Sequence, residues 1–77
     1  MNQSDAKRNK KVRDKVNRLL ELGVSVSAIA KGCNEYQQNM STFKMGTRNM
    51  NDQTLDKVER YLSQFEQDVH EILKGEN

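Results

Sequence analysis

The chain has 77 residues, of which 34% are hydrophobic and 31% charged, and its mean hydropathy is -0.99. This length allows one domain over residues 1–77, and a domain this small often needs a disulfide, a metal or a second copy for stability. A single cysteine and a single histidine exclude an internal disulfide and a four-ligand zinc site, so we expect no metal and no cofactor. The polar composition and the absence of a secretory signal predict a cytoplasmic protein without membrane spans.

Charge is distributed unevenly along the chain. Residues 1–50 hold ten Lys and Arg against four Asp and Glu, a net charge of +6, whereas residues 51–77 hold three against seven, a net charge of -4. The basic residues are densest between Lys7 and Arg18. This asymmetry predicts a basic half that meets an anion and an acidic half with another task.

The absence of proline and of alternating strand patterns predicts an all-α fold of four or five helices. The first helix begins near Ser4 or Asp5, with residues 1–6 expected to be flexible, and Gly23 ends it. Over residues 25–45 the pattern predicts two short helices joined by a tight turn. Ser25 caps the first of these, which ends at Gly32, and the second covers about 35–45 and ends at Gly46.

The C-terminal segment, residues 52–74, carries apolar residues at alternating spacings of three and four. They are Leu55, Val58, Leu62, Phe65, Val69 and Ile72. This is a heptad pattern, and the segment is either one helix or two helices that meet near Ser63. The expected core of the whole domain comprises Val12, Val16, Leu19, Leu20, Ile29, Ala30, Met40, Phe43, Leu55, Val58 and Leu62.

The third predicted helix has two chemically different faces. One is apolar, with Tyr36, Met40 and Phe43, and the other is polar and begins with three amide side chains, Gln37, Gln38 and Asn39. Amide side chains can bind adenine in a bidentate manner. The second helix of a pair joined by a tight turn can also enter the major groove of DNA. The pattern therefore favours a helix-turn-helix that reads base edges, whereas Met45 and Met50 are interpreted, with Met40, as core residues.

Five short features in this order resemble the Cro and lambda-repressor-like helix-turn-helix family, called XRE in bacteria. They are Ile29-Ala30, Asn34 in the turn, Met40-Ser41, Gly46 and, further on, Thr54-Leu55 with Tyr61-Leu62. The resemblance covers Leu19 to Leu62. It implies a lambda-repressor-like domain with an extended C-terminal helix, acting as a repressor or Cro-like switch of a phage or mobile element on double-stranded DNA.

The resemblance also implies the roles of individual residues. Gln37, Gln38 and Asn39 would read bases. The phosphates would be held by Ser41, Thr42, Lys44, Thr47, Arg48 and Asn49, and Arg13 and Lys15 could reach flanking phosphates.

A homodimer is expected because each recognition helix of this family reads only half of a palindromic operator. The apolar series continues past the resemblance, through Leu62, Phe65, Val69, Ile72 and Leu73, and we expect these residues to form the dimer interface. The alternative is that the series packs back on the first helix of its own chain.

A different function for the same scaffold is that of a protein-binding inhibitor, an antirepressor or a host-factor inhibitor. Glu35 in the turn supports this alternative, because a negative charge there would oppose DNA phosphates. Nothing in the sequence forms a catalytic constellation, so an enzyme is not expected.

Overall fold

A computed structural model describes residues 2–75, and its side chains are described from Ala6 to Lys74. Within that range the chain forms four α-helices and no strand: α1 (Asn2–Glu21), α2 (Val26–Gly32), α3 (Gln37–Met45) and α4 (Asp52–Gly75). The prediction of an all-α fold is confirmed. The C-terminal segment is one uninterrupted helix, and none of the four helices is long and apolar enough to cross a membrane.

The helix boundaries depart from the predicted ones at two places. The helix α1 begins at Asn2, ahead of the expected start, and α3 begins at Gln37, two residues later than expected. Met1 lies outside the described residues, so the expected flexibility of residues 1–6 stays a prediction.

Residues in the left-handed conformation end the first three helices. Asn34, with a φ of 58°, follows α2, and it allows the amide of Glu35 to donate a hydrogen bond to the carbonyl of Ala30 at 2.8 Å. Gly23 and Gly46 adopt positive φ at the ends of α1 and α3. This backbone pattern satisfies helix carbonyls that would otherwise lack donors and fixes the short connections between the helices.

The core lies where α1, α3 and α4 meet, with α2 covering one side of α3. Its buried hydrophobic residues are Val12, Val16, Ile29, Ala30, Cys33, Met40, Phe43, Met50, Leu55 and Val58. Three predicted core residues, Leu19, Leu20 and Leu62, pack against this cluster but are only half-buried. They lie towards the C-terminal end of α1 and the middle of α4, where fewer elements surround them.

Exposure increases along the apolar series of α4. Leu55 and Val58 are fully buried, whereas Ile72 and Leu73 are 71% and 79% exposed. The first half of the series therefore packs on the chain's own core, as predicted for Leu55 and Val58, and the second half extends beyond that core. This extension contributes to an elongated molecule of 46 × 22 × 20 Å.

Two polar residues of α1, which hydrophobic periodicity does not identify, fix the start of α4 against α1. Asn9 is fully buried, and its side-chain amide donates to the carbonyl of Met50 at 3.0 Å and accepts from the amide of Met50 at 2.7 Å. It thus pairs with both backbone groups of one residue, which satisfies a buried stretch of loop.

Arg8 is the second of these residues. Its guanidinium bridges three carboxylates of α4, those of Asp52 at 3.1 Å, Asp56 at 2.6 Å and Glu59 at 2.7 Å. The hydrogen bonds that Arg8 donates to Asp56 and Glu59 raise the pKa of Arg8 above its already high value. A cation of the basic half is therefore used to join α1 to α4 and is not directed at an external anion.

Candidate nucleic-acid interface

The helices α2 and α3 form a pair of short helices linked by the turn at Asn34. The hydroxyl of Ser25 accepts a hydrogen bond from the amide of Ala28 at 3.0 Å and caps α2, as predicted. Ile29 and Ala30 are buried in the core that also takes Met40 of α3. Because α2 has only seven residues, this packing stabilises it, and it fixes α3 against the rest of the domain.

The outward surface of α3 consists of four residues, Gln37, Gln38, Ser41 and Met45, which we call the α3 face. At about 100° of rotation per residue, these positions lie within about 100° of one another around the helix. The buried Met40 and Phe43 occupy the other side. Gln37, Gln38 and Met45 are exposed and Ser41 is half-buried, so two amides, a hydroxyl and a thioether project together from one helix.

Two residues predicted to lie in the interior are exposed at the ends of α3. Tyr36, expected on the apolar face, precedes the helix as its N-cap and is 77% exposed. Met45, interpreted as a core residue, is 65% exposed because the last turn of α3 extends past the core. Met40 and Met50 are buried as expected.

Asn39 does not share the α3 face with the two glutamines. It is half-buried and lies about 200° around the helix from Gln37, which brings it next to the buried side. Its carbonyl accepts the hydroxyl of Thr42 at 3.1 Å. The structure thus brings together two of the three predicted base-reading amides and adds Met45, which periodicity within so short a helix could not distinguish from a core position.

Side chains of α1 hold the C-terminal end of α3. The guanidinium of Arg13 donates to the carbonyl of Phe43 at 2.6 Å and lies 4.7 Å above the centre of its ring. Asn17 donates to the carbonyl of Lys44 at 3.2 Å. From the loop after α3, the hydroxyl of Thr47 adds a hydrogen bond to the carbonyl of Thr42 at 3.0 Å. These bonds satisfy the last carbonyls of α3 and set its orientation relative to α1.

The two predicted flanking contacts of α1 lie on different sides of the helix. Besides its bond to Phe43, Arg13 donates to the carbonyl of Arg48 at 3.0 Å and to the side chain of Asn49 at 2.8 Å. Lys15 lines a groove between α1 and α4, next to Phe65. Arg13 is therefore a support for the loop after α3, and Lys15 is remote from the α3 face.

Six other residues were predicted to hold phosphates. Ser41, Thr42 and Lys44 are half-buried, and Thr47, Arg48 and Asn49 are exposed in the loop. The hydroxyl hydrogens of Thr42 and Thr47 are directed at carbonyls of α3. The cationic groups available beside the α3 face are consequently those of Lys44 and Arg48.

A second concave surface, the α1/α4 groove, lies between the two long helices. Its apolar part is formed by Leu19, Leu62, Phe65 and Val69. The charged residues that line it are Asp14, Lys15 and Arg18 on α1 and Glu59 and Glu66 on α4. The ring of Phe65 also lies near that of Tyr61, with the ring centres 6.1 Å apart and the planes tilted by 37°. Three of the five predicted dimer residues, Leu62, Phe65 and Val69, line this groove, and Ile72 and Leu73 lie beyond it.

The described side chains form no cluster of metal ligands, and comparisons with known proteins assign no site. Among the residues from Ala6 to Lys74, no three His, Cys, Asp or Glu side chains are grouped as metal ligands would be. The chain matches no protein-family model, no curated protein and no solved structure in the comparisons made.

Proposed function

We propose that the protein is a sequence-specific DNA-binding regulator in which α2 and α3 form a lambda-repressor-like helix-turn-helix. The observation that carries this proposal is the α3 face, where two exposed glutamines project from a helix whose other side is anchored in the core. A helix presented in this way fits the major groove, and its exposed amides have the donor and acceptor pair that adenine requires.

The α3 face supplies two kinds of contact to base edges. Gln37 and Gln38 each offer a donor and an acceptor to the N6 and N7 of adenine, and Ser41 can bond to several bases. Met45 is apolar and exposed, so it can contact the methyl group of thymine. We therefore propose A·T pairs within the bound sequence.

Lys44 and Arg48 provide the contacts to phosphates. Lys44 lies in the last turn of α3, and Arg48 is exposed in the loop after it, whose backbone is held by Arg13. Cations that flank a reading helix position it on the duplex and supply affinity that does not depend on sequence. Repression or a Cro-like switch in a phage or mobile element is the biological role that we propose for this binding.

Selection from a random pool of double-stranded DNA tests the proposal. The protein should enrich a common sequence, and its affinity for that sequence should fall as salt is raised. Arg48→Ala and Lys44→Ala should each weaken binding to selected and random duplexes and reduce the magnitude of the salt slope by about one. No retention of any duplex at 50 mM salt would contradict the proposal.

One observation favours binding to a protein as the second candidate function. Tyr36 is 77% exposed beside the half-buried Glu35, so an aromatic ring and a carboxylate adjoin at the start of α3. Exposed tyrosines are common anchors of protein interfaces, and the carboxylate would repel phosphates. Under this alternative, Tyr36→Ala would abolish capture of a protein partner and the selection would enrich no DNA sequence.

A further inference from the structure

The segment between α3 and α4 runs back along α1, from the middle of this helix towards its start. Three polar side chains of α1 bond to it in turn: Asn17 to the carbonyl of Lys44, Arg13 to that of Arg48, and Asn9 to the backbone of Met50. The exposed Arg48, one of the two cations proposed to hold phosphates, therefore lies beside the N-terminal half of α1.

That half of α1 carries three exposed lysines, called here the α1 lysines: Lys7, Lys10 and Lys11. At 100° of rotation per residue, they lie within about 100° of one another, on the side of α1 opposite the buried Val12 and Val16. Lys10 is the nearest of them to the loop, since it lies about 60° around the helix from Arg13. The α1 lysines therefore continue the cationic surface that begins at Arg48.

Few carboxylates oppose the charge of this surface. The three that begin α4 all bond to Arg8. Among the described side chains, one carboxylate pairs with an α1 lysine, that of Asp14, which lies 3.3 Å from the ammonium of Lys10. Both partners are exposed, and an exposed pair of this kind is weak. A phosphate, which binds cations more strongly, can therefore take the place of Asp14.

We propose that the α1 lysines bind phosphates of the DNA that flanks the sequence read by the α3 face. This inference rests on the proposed function, because it extends the duplex contacts of Lys44 and Arg48 along α1. Lys7 and Lys11 are about 6 Å apart along the helix axis, and phosphates of one strand follow every 3.4 Å or so of the duplex axis, so each lysine can meet its own phosphate. Such contacts hold the flank whatever its sequence.

The salt dependence of binding counts the phosphates that the protein holds. With Lys44 and Arg48 alone, the logarithm of the association constant should fall with the logarithm of the salt concentration at a slope of about -2. The α1 lysines should make this slope about -4 to -5. Fluorescence anisotropy with a random-sequence duplex of about 20 base pairs, between about 50 and 200 mM salt, measures it.

A triple substitution tests the assignment, with a second triple substitution as its control. Lys7→Gln, Lys10→Gln and Lys11→Gln together should reduce the magnitude of the slope by about 2–3 and weaken binding to selected and random duplexes by the same factor. The control removes the same number of charges from α4: Lys57→Gln, Arg60→Gln and Lys74→Gln. It should leave the slope unchanged. Circular dichroism should show the same helix content in both variants, because glutamine is a good helix former.

Replacing Asp14 tests the same surface in the opposite direction. Asp14→Asn removes the carboxylate that competes with phosphates for Lys10, so it should tighten binding to random and selected duplexes several-fold. Glu21→Gln is the matched control. Glu21 pairs with Arg18 at the same distance, 3.3 Å, and is similarly exposed, but it lies at the other end of α1, so its substitution should change neither affinity.

The measurements distinguish a failure of this assignment from a failure of the proposed function. A chain that binds no duplex would contradict both. A slope of about -2, equal losses of affinity in the two triple variants, or equal effects of Asp14→Asn and Glu21→Gln would show that the α1 lysines hold no phosphates, and reading by the α3 face would stand. If the α1 variant bound duplexes normally but no longer bound polyglutamate, the surface would belong to an acidic protein partner, and the assignment to DNA would be wrong.

Discussion

Asn9 and Arg13, two polar residues of α1, determine how the segment between α3 and α4 is placed. Asn9 pairs with the backbone of Met50, and Arg13 bonds to the carbonyls of Phe43 and Arg48. Neither residue could be identified from hydrophobic periodicity, because the partners are backbone groups distant in sequence. In contrast, Val12 and Val16 were identified as core residues, since an apolar side chain at helical spacing has few alternatives to burial.

Replacing Asn9 by alanine should destabilise the fold. The substitution removes both bonds to Met50 and leaves a buried amide and carbonyl without these partners, so we expect the free energy of unfolding to fall by about 2–4 kcal/mol. Urea denaturation measures this change. Asn17→Ala, which removes one hydrogen bond of a half-buried side chain, serves as the control and should cost about 1 kcal/mol. Equal stability of the Asn9 variant and the original chain would contradict the pairing.

Arg13→Ala distinguishes structural support from phosphate contact. The substitution removes the bonds to Phe43 and Arg48 and the contact with the Phe43 ring, and it should lower the free energy of unfolding by about 1–3 kcal/mol. Arg48→Ala, a change of the same type at an exposed residue, should stay within about 0.5 kcal/mol of the original chain. If both variants were equally stable in urea, Arg13 would not support the loop.

The buried thiol of Cys33 makes stability depend on alkaline pH. Burial raises its pKa from about 9 to about 11. The unfolded chain loses this proton first, so the contribution of Cys33 is fully present below pH 9 and is lost as pH rises towards 11. Cys33→Ala should reduce the fall in unfolding free energy over this range, as measured by urea denaturation at stepwise pH. An identical pH dependence in both proteins would show that the thiol does not titrate in this way.

At the scale of elements, local sequence signals identified the helices, and tertiary contacts set their limits. Ser25, Gly23 and Gly46 act at the ends predicted for them, because caps and left-handed stops are local chemistry. The exposure of Tyr36 and Met45 was not predicted. Both lie at the ends of a nine-residue helix, where the position of neighbouring helices decides which side chains are covered.

Gly32 is required by the contact between α2 and α4. A Cβ atom at this position would overlap the edge of the Tyr61 ring, 2.5 Å from its Cδ1 atom. Gly32→Ala should therefore lower the free energy of unfolding by about 1–3 kcal/mol. In a helix without such a clash, the same substitution stabilises the folded protein.

Combining the change with Tyr61→Ala tests the cause. With the ring removed, Gly32→Ala should be neutral or stabilising relative to Tyr61→Ala alone, as measured by urea denaturation of the four proteins in the cycle. A stabilising effect of Gly32→Ala in the original chain would show that the ring does not restrict this position.

At the scale of the whole molecule, the cations of the basic half fall into distinct groups by their place in the fold. Arg8 and Arg13, both from the basic half, are committed to carboxylates or carbonyls within the chain. Lys44 and Arg48 accompany the α3 face, and Lys15 and Arg18 accompany the α1/α4 groove. Net charge by halves predicted an anionic partner, but it could not divide the cations among these tasks, because that division depends on which side of α1 each residue occupies.

The proposed reading of DNA sequence by the α3 face is tested most directly by comparing affinities for selected and random duplexes at one salt concentration. Gln37→Ala and Gln38→Ala should each weaken binding to the selected site by about 1–3 kcal/mol and leave binding to random DNA nearly unchanged. Gln67→Ala, at an exposed glutamine of α4, should change neither affinity. Equal losses on selected and random DNA, or no loss on either, would contradict the account.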